Sequence, residues 1–435
     1  MIAGFYGDDF TGSTDSLGEF GRFGLTAILL LRPPAREELE RYARSYDVVG
    51  VAGTARSLRS EAIDAEIAPV FARFASAGAR LFQYKVCSTF DSSPAIGSFE
   101  PPIRLGREHF GNVPVPVAPA QPTFGRYTLF ANHFANFGGT VYRLDRHPGM
   151  SKHPSTPMHE ADLRLHLARQ TTLPIGHLPI TALRSKERRA LYERVADVGP
   201  GAIVIDALEN DDLLELARLL DEMRGGKTIF ALGSGGISRG FGRLWSERGE
   251  EIVRPAREPV EKLLVVSGSC APQTAAQIEW ALANGWAGVR VDIAALMDET
   301  RRAHTLDDLI TATSAAFKRS ARGAVVYSAL GAPDALSSSG GAASPQVLGE
   351  ALGTIVRRLV HEYGLQRAIV AGGDTSSYAA RALAARSLEI LKLVVPVGPL
   401  CKIASDDRAV DGMEVMLKGG QVGGESLFEI VRNGG

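Results

Sequence analysis

Two adjacent carboxylates set the chemistry that this chain offers first. Asp8 and Asp9 stand in the stretch Gly7-Asp8-Asp9-Phe10-Thr11-Gly12-Ser13-Thr14-Asp15, between an apolar run at residues 2–6 that reads as a strand and an amphipathic segment through Phe20 that reads as a helix. A strand that empties through a polar, glycine-flanked turn into a helix presents its side chains at the carboxyl edge of a sheet, where open α/β folds hold ligands. Paired carboxylates there, followed by hydroxyls and first-turn amides, suit the holding and deprotonation of a polyhydroxy compound. A plain helix cap is the competing reading, although one Asp would serve for it.

The carboxyl-terminal half carries a different device. Gly372-Gly373-Asp374-Thr375-Ser376-Ser377 falls between an expected strand at residues 368–371 and an expected helix. Amides at such a helix start attract phosphate, and the glycines let the backbone approach an anion closely. Ser267-Gly268-Ser269-Cys270 and Lys418-Gly419-Gly420-Gln421-Val422-Gly423 repeat the arrangement. Three glycine turns after three strands point to nucleotide phosphates.

Other glycine and histidine clusters do not complete a motif. Gly225-Gly226-Lys227-Thr228 has Asp221 where a P-loop needs its first glycine, and it leads into a strand. Gly233-Ser234-Gly235-Gly236 has Ser238 where a dinucleotide fingerprint needs its third glycine, which leaves a hydroxy-acid dehydrogenase as a weak alternative. His133, His147, His153, His159 and His166 gather in an irregular stretch without a completing ligand set. Loop surface or substrate contact is expected of them, and no metal site.

Those residues need elements to position them. At the amino end strands are expected at residues 2–6, 26–31, 47–52 and 80–86, with helices from about residue 14, over 36–46 and from about residue 60. In the last, Ile63, Ile67, Val70, Phe71 and Phe74 form one apolar stripe. Residues 96–172 show little periodicity and read as functional loops. The rhythm returns at 202–206, 211–224 and 227–232, and a charged, Pro-bearing stretch at 246–259 reads as a linker. A second series follows, with strands at 262–266, 288–293, 323–330, 368–371 and 413–417, a helix over 345–363, and a Gly/Ser/Ala-rich loop reaching Ser344. Strand alternating with helix implies mostly parallel sheets covered on both faces.

Bulk composition agrees with two α/β domains. The chain has 435 residues, 45% hydrophobic and 22% charged, more than one core comfortably holds. Lys plus Arg number 48 against 49 Asp plus Glu, a balance that argues against a nucleic-acid surface. Cys87, Cys270 and Cys401 are widely spaced, which fits a reducing compartment. With neither a leader pattern nor a spanning apolar run, a cytoplasmic protein without a membrane partner is expected.

Taken together, GDDFTGSTD at residues 7–15, YKVCSTFDSS at 84–93, SGSCAPQT at 267–274, GGDTSS at 372–377 and KGGQVGG at 418–424 resemble the four-carbon acid sugar kinase family, in the family's order and over essentially the whole chain. The resemblance implies an amino-terminal sugar-acid domain (1–248), a linker (249–260), a carboxyl-terminal ATP domain (261–435), and transfer in the cleft between them. It implies that Asp8, Asp9, Arg56, Ser57, Lys85, Ser88 and Asp91 line the sugar-acid site. Ser269, Gly372, Gly373, Asp374, Thr375 and Gly420 would line the nucleotide site, with Ser267 in the same turn. ATP and Mg²⁺ are the implied co-substrate and cofactor, and homo-oligomerisation is left open.

In this picture Arg56 or Lys85 pairs the substrate carboxylate, and Asp9, or failing it Asp8, accepts a proton from the terminal hydroxyl. The Cys87-Ser88-Thr89-Phe90-Asp91-Ser92 turn resembles the 3-oxo-tetronate kinase branch more than the threonate and erythronate branch. Departures at Ala95–Ser98 and Tyr142–His147 leave the acid open: a 3-oxo-tetronate or a related keto sugar acid such as 3-oxo-isoapionate is expected, with threonate or erythronate as the alternative.

Overall fold

Strands made wholly of apolar and small residues must be covered on both faces. β1 (Ala3–Gly7), β3 (Val48–Ala52) and β10 (Ala202–Ile205) are such strands, buried along their whole length, and β4 (Leu81–Lys85) is equally buried although it carries Gln83 and Lys85. In the computed structural model, which describes residues 1–153, 155–331, 334 and 344–435 but not the side chain of Asp374, the chain forms two compact units, Met1–Ile252 and Val253–Gly435. Most of the Gly/Ser/Ala-rich loop before Ser344 lies outside the described residues, as does Pro154.

The sheet of the first unit adds β2 (Ala27–Leu30), β5 (Val115–Ala118), β9 (Ile175–Leu178) and β11 (Ile229–Gly233). Its order is β2-β3-β1-β4-β11-β5-β10-β9, and the pairings are parallel. From β1 the chain winds outward to β2 and β3 on one side, then crosses to β4 on the other. This makes the end of β1 a topological switch point, where such sheets open a crevice. The register aligns Gly7 with Ala52 and with Lys85, and Gly233 with Lys85 and with Ala118, so five loops leave one edge together.

The stripe expected after residue 60 is present. In the helix Ser60–Ser76 the buried residues are Ile63, Ile67, Val70, Phe71 and Phe74. Phe71 meets Phe82 edge-on at 5.1 Å between ring centroids and lies 5.4 Å from Phe230, while Phe82 stacks on Phe110 at 5.0 Å.

Two expectations need correction. The first helix begins at Phe10, four residues before residue 14, because Asp9 caps it. Residues 96–172 are no run of loops: they hold the helix Glu100–Phe110, the interior strand β5, and an antiparallel sheet of β6 (Arg126–Leu129), β7 (Asn132–Phe137) and β8 (Thr140–Arg143).

In the second unit β12 (Leu263–Ser267), β13 (Ala287–Arg290), β14 (Gly323–Tyr327), β15 (Arg367–Ala371), β16 (Ala385–Val395), β17 (Gly398–Ser405) and β18 (Glu414–Lys418) run in the order β13-β14-β12-β15-β18-β17-β16. The first five in that order are parallel, and β17 is antiparallel to both β16 and β18. Ser267 aligns with Ala371, and Ala371 with Lys418, which brings all three glycine turns to one edge. Among the described residues no helix is long and apolar enough to cross a membrane.

Phe71→Ala removes a ring that lies against four aromatic neighbours, Phe82, Tyr84, Phe110 and Phe230, and should destabilise the first unit by about 3–5 kcal/mol in a urea titration. A loss below about 1 kcal/mol would mean that this cluster is not the packing centre.

Candidate active site

Asp8 and Asp9 differ in what they do. Asp9 is the N-cap of the helix Phe10–Gly21: its Oδ1 accepts from the Gly12 amide at 2.9 Å and its Oδ2 from the Thr11 hydroxyl at 2.6 Å. The Ser13 hydroxyl also turns back, onto the Asp9 carbonyl at 2.6 Å. The capping reading therefore holds for Asp9 and not for Asp8. Arg56, in the short turn Ala55–Ser57 after β3, joins them, its Nη2 donating to Asp8 Oδ1 at 2.6 Å and to Asp9 Oδ1 at 2.8 Å while Nε reaches Asp8 Oδ2 at 3.3 Å. Among the described residues Nη1 of Arg56 makes no hydrogen bond, and the side chain is 18% exposed.

Lys85 closes β4 on the other side of β1. Its Nζ donates to the Val86 carbonyl at 2.9 Å and lies 3.7 Å from Asp15 Oδ2. A Cβ on Gly12 would stand 2.4 Å from Asp9 Oδ1 and 2.9 Å from Lys85 Nζ, so only glycine lets the helix start sit between the carboxylate and the ammonium.

The environments split the two carboxyls. Burial raises Asp8 to about 6, helped by repulsion from Asp9 and opposed by Arg56 and Lys85. Burial also works to raise Asp9, but Arg56, Lys85, the Thr11 hydroxyl and the Gly12 amide outweigh it and hold that carboxyl low. Burial raises Asp15 as well, against the pull of Lys85.

The turn after β4 completes this edge. Asp91 accepts from the Thr89 hydroxyl at 2.7 Å and is near enough to raise the Arg56 pKa. Cys87 Sγ lies 2.9 Å from Thr89 Oγ1, and burial pushes its thiol up to about 11, so it is uncharged. Ser88 is buried, and its carbonyl accepts from His133 Nε2 at 2.7 Å. A carbonyl only accepts, so Nε2 carries the proton and Nδ1 accepts from Thr128 at 2.9 Å. Burial lowers His133 to about 4 and keeps it neutral. His133, His147 and His166 are thus buried supports rather than loop surface, whereas His159 is exposed. Ser57 does not join the cluster: it is exposed, and its hydroxyl donates to the Thr54 carbonyl at 3.0 Å.

Sequence reasoning missed the supports supplied by distant strands. Gln121 donates to both oxygens of Asp15, at 3.0 and 3.1 Å. A Cβ on Gly235 would lie 2.4 Å from Asp15 Oδ2, and one on Gly236 would lie 2.0 Å from the Ala120 carbonyl. The turn that resembled a dinucleotide fingerprint is thus filled by this chain's own groups. Ser16 Oγ lies 2.8 Å from Ser238 Oγ, and the Ser238 hydroxyl donates to Gln83 at 2.8 Å, tying the helix start to β4.

In the second unit Gly268, Ser269, Gly372, Thr375 and Gly420 come together. A Cβ on Gly268 would lie 2.3 Å from Thr375 Oγ1, and one on Gly420 would lie 2.9 Å from Ser269 Oγ. Gly372 has φ +122°, which disfavours any side chain, and Gly373 begins the helix Gly373–Ala382. Ser267 Oγ accepts from the Ser269 amide at 3.3 Å, and Ser269 Oγ from the Ala271 amide at 3.2 Å. Asp374 lies in that helix, with its side chain outside the described residues. Lys418, not singled out from sequence, is buried beneath these turns.

Comparison with known proteins follows the same division. Residues 3–241 match the model of a sugar-binding N-terminal domain, and residues 264–428 that of a nucleotide-binding C-terminal domain. The chain belongs to the four-carbon acid sugar kinase family. As a member it is a sugar-acid kinase. It is 39% identical to a 3-oxo-isoapionate kinase of Paraburkholderia graminis, covering 100% of this chain and 94% of that one. It is 27% identical to a 3-oxo-tetronate kinase of Pectobacterium atrosepticum, over 98% and 97% of the two chains. Crystal structures of a Salmonella typhimurium LT2 protein (TM-score 0.79, 22% identity, 99% of each chain) and a Haemophilus influenzae protein (0.68, 23%, 99% of each chain) share the fold.

Arg56→Gln leaves two buried carboxylates without their cation and should destabilise the first unit by about 3–5 kcal/mol at pH 8. At pH 5 the loss should shrink. Asp8, already at about 6 beside Arg56, rises further without it and binds a proton there, which removes the uncompensated charge. Urea unfolding of both proteins at the two pH values checks this, and an equal loss at both would contradict it.

Proposed function

We propose that this chain is an ATP-dependent kinase that phosphorylates the terminal hydroxyl of a small keto sugar acid, 3-oxo-isoapionate before 3-oxo-tetronate. The order follows the identities, 39% against 27% over nearly full chains. The observation that carries the reading is the Arg56 guanidinium held against Asp8 and Asp9 with Nη1 left over, at the switch point of the sugar-binding unit. A planar fork with a remaining donor suits the carboxylate of a sugar acid, with Lys85 and the turn from Ser88 to Asp91 beside it.

Asp8 is assigned as the base in preference to Asp9. Both carboxyls accept from Arg56, but Asp9 is also taken up by the helix cap and its carboxyl is held low, whereas Asp8 at about 6 is ionised at neutral pH and still basic enough to take a hydroxyl proton. Asp9 then orients the helix start and Arg56.

ATP is assigned to the turns at Ser267, Ser269, Gly372, Gly373, Thr375 and Gly420, where backbone amides and glycine-wide approaches suit phosphate oxygens. The Asp374 and Ser57 assignments belong to the same family reading. Mg²⁺ would neutralise charge on the transferring phosphates. Among the described residues no three His, Cys, Asp or Glu gather to hold a metal, which fits an ion carried mainly by nucleotide oxygens and water. A cytoplasmic setting goes with this reading, since Cys270 is an exposed free thiol. The dehydrogenase alternative loses its support, because Asp15 and the Ala120 carbonyl occupy the Gly235-Gly236 turn.

Incubation with ATP, Mg²⁺ and a panel of 3-oxo-isoapionate, 3-oxo-tetronate, threonate and erythronate should give phosphorylated product fastest with the first. Turnover confined to threonate or erythronate would reverse the substrate assignment. Asp8→Asn should lower kcat by about 10²–10⁴-fold with nucleotide affinity unchanged. In the unmodified enzyme kcat/KM should climb as pH rises through about 6, where Asp8 loses its proton, and that limb should vanish in the variant. Near-normal turnover in Asp8→Asn would remove the base assignment.

A further inference from the structure

Lys418 ends β18 level with Ala371, the residue before Gly372, and two residues before Gly420. A lysine is seldom fully buried without an acidic partner, yet Lys418 is 0% exposed. Its ammonium donates to Thr274 Oγ1 at 2.9 Å, and the Thr274 hydroxyl donates to the Gly420 carbonyl at 2.8 Å. One turn along the same helix, Pro272–Ala283, Gln277 donates to the carbonyls of Val422, Gly423 and Gly424 at 2.9, 3.1 and 3.0 Å. The loop after β18 is therefore hung from the inner face of that helix, and Lys418 holds the hydroxyl nearest the phosphate-binding turns.

Burial pushes Lys418 down to about 7, and burial is the one cause acting on it. Of the titratable groups on the elements packed against it, Glu279 is exposed on the same helix, Arg381 lies in the last turn of Gly373–Ala382, and Cys401 on β17 is a buried thiol pushed up to about 12 and so neutral. Lys402 and Glu414 stand opposite each other in the strand register at the far end of β18, where Glu414 is ion-paired with Arg257 and with Arg367 of β15.

We propose that Lys418 is a positioning residue of the nucleotide turns, which takes up a proton when phosphates bind and acts on them through Thr274 and Gly420 rather than by contact. The inference rests on the reading that these turns take ATP. An anion arriving on the amides above a buried amine favours the charged form of that amine. Binding is then tightest below pH 7, where Lys418 already carries its proton. It weakens as pH rises, because the complex must import that proton, by up to about tenfold per pH unit for a single group.

Calorimetric titration of the full chain with a non-hydrolysable ATP analogue and Mg²⁺, at pH 7.5 in buffers of different ionisation heat, reads the proton directly. The unmodified protein should take up on the order of half a proton more than Lys418→Met, whose uncharged side chain keeps the shape. Affinity should fall between pH 7 and 8.5 in the former and less steeply in the variant. Binding without that difference, or uptake that persists in Lys418→Met and so belongs to another group such as Asp374, overturns the inference and leaves the kinase reading intact. Should the variant fail a thermal-unfolding check, an affinity that stays constant from pH 6.5 to 8.5 in the unmodified protein overturns it alone. An analogue that does not bind at all removes the reading together with the inference.

Discussion

Everything at the edge of the first sheet depends on one guanidinium. Arg56 is the counter-charge that lets two adjacent aspartates leave water at the end of β1. Desolvating either carboxylate alone would be unfavourable by several kcal/mol, and the cation makes the pair tolerable. The same contact divides their labour, since Asp9 is fixed as a cap and Asp8 is left with a carboxyl at about 6. A buried ion cluster of this kind adds little net stability although removing one partner is costly, and a raised carboxyl beside a spare guanidinium donor is what the proposed sugar-acid site asks for.

The second unit solves a different problem with backbone. Its turns come from strands far apart in sequence and meet because Ser267, Ala371 and Lys418 share a register. Close approaches at Gly268 and Gly420 leave no room for side chains there, so these turns offer backbone, with Ser267 and Ser269 buried beside it. A buried amine that can take up a proton is set behind that surface, at Lys418, bonded to the Thr274 hydroxyl, which in turn donates to the Gly420 carbonyl. Charge in the first unit is in the front rank, and in the second it is held in reserve.

What could be read from the chain was what is local in the chain. The strand-turn-helix at Asp8 and Asp9, the stripe from Ile63 to Phe74 and the three glycine turns are each contained within some twenty residues, and each formed, the first helix starting four residues earlier than expected. The roles of Asp15, Gln121, Gly235 and Lys418 stayed hidden, because their partners arrive from other elements and no spacing announces them. The stretch 96–172 was misread for a related reason. β5 has only four residues, one of them Pro116, and β6 and β7 alternate buried with half-buried positions over four and six residues, too short for periodicity to register. The histidines there looked like surface because polarity in sequence does not reveal a buried hydrogen-bond partner, as Thr128 and the Ser88 carbonyl are for His133.

The most direct test of the central claim is a crystal structure of the full chain with 3-oxo-isoapionate bound. The acid's carboxylate is expected on Nη1 of Arg56, with its terminal hydroxyl within hydrogen-bond distance of Asp8. A sugar acid bound elsewhere, with the Arg56 contacts to Asp8 and Asp9 undisturbed and Nη1 still open, would contradict the account.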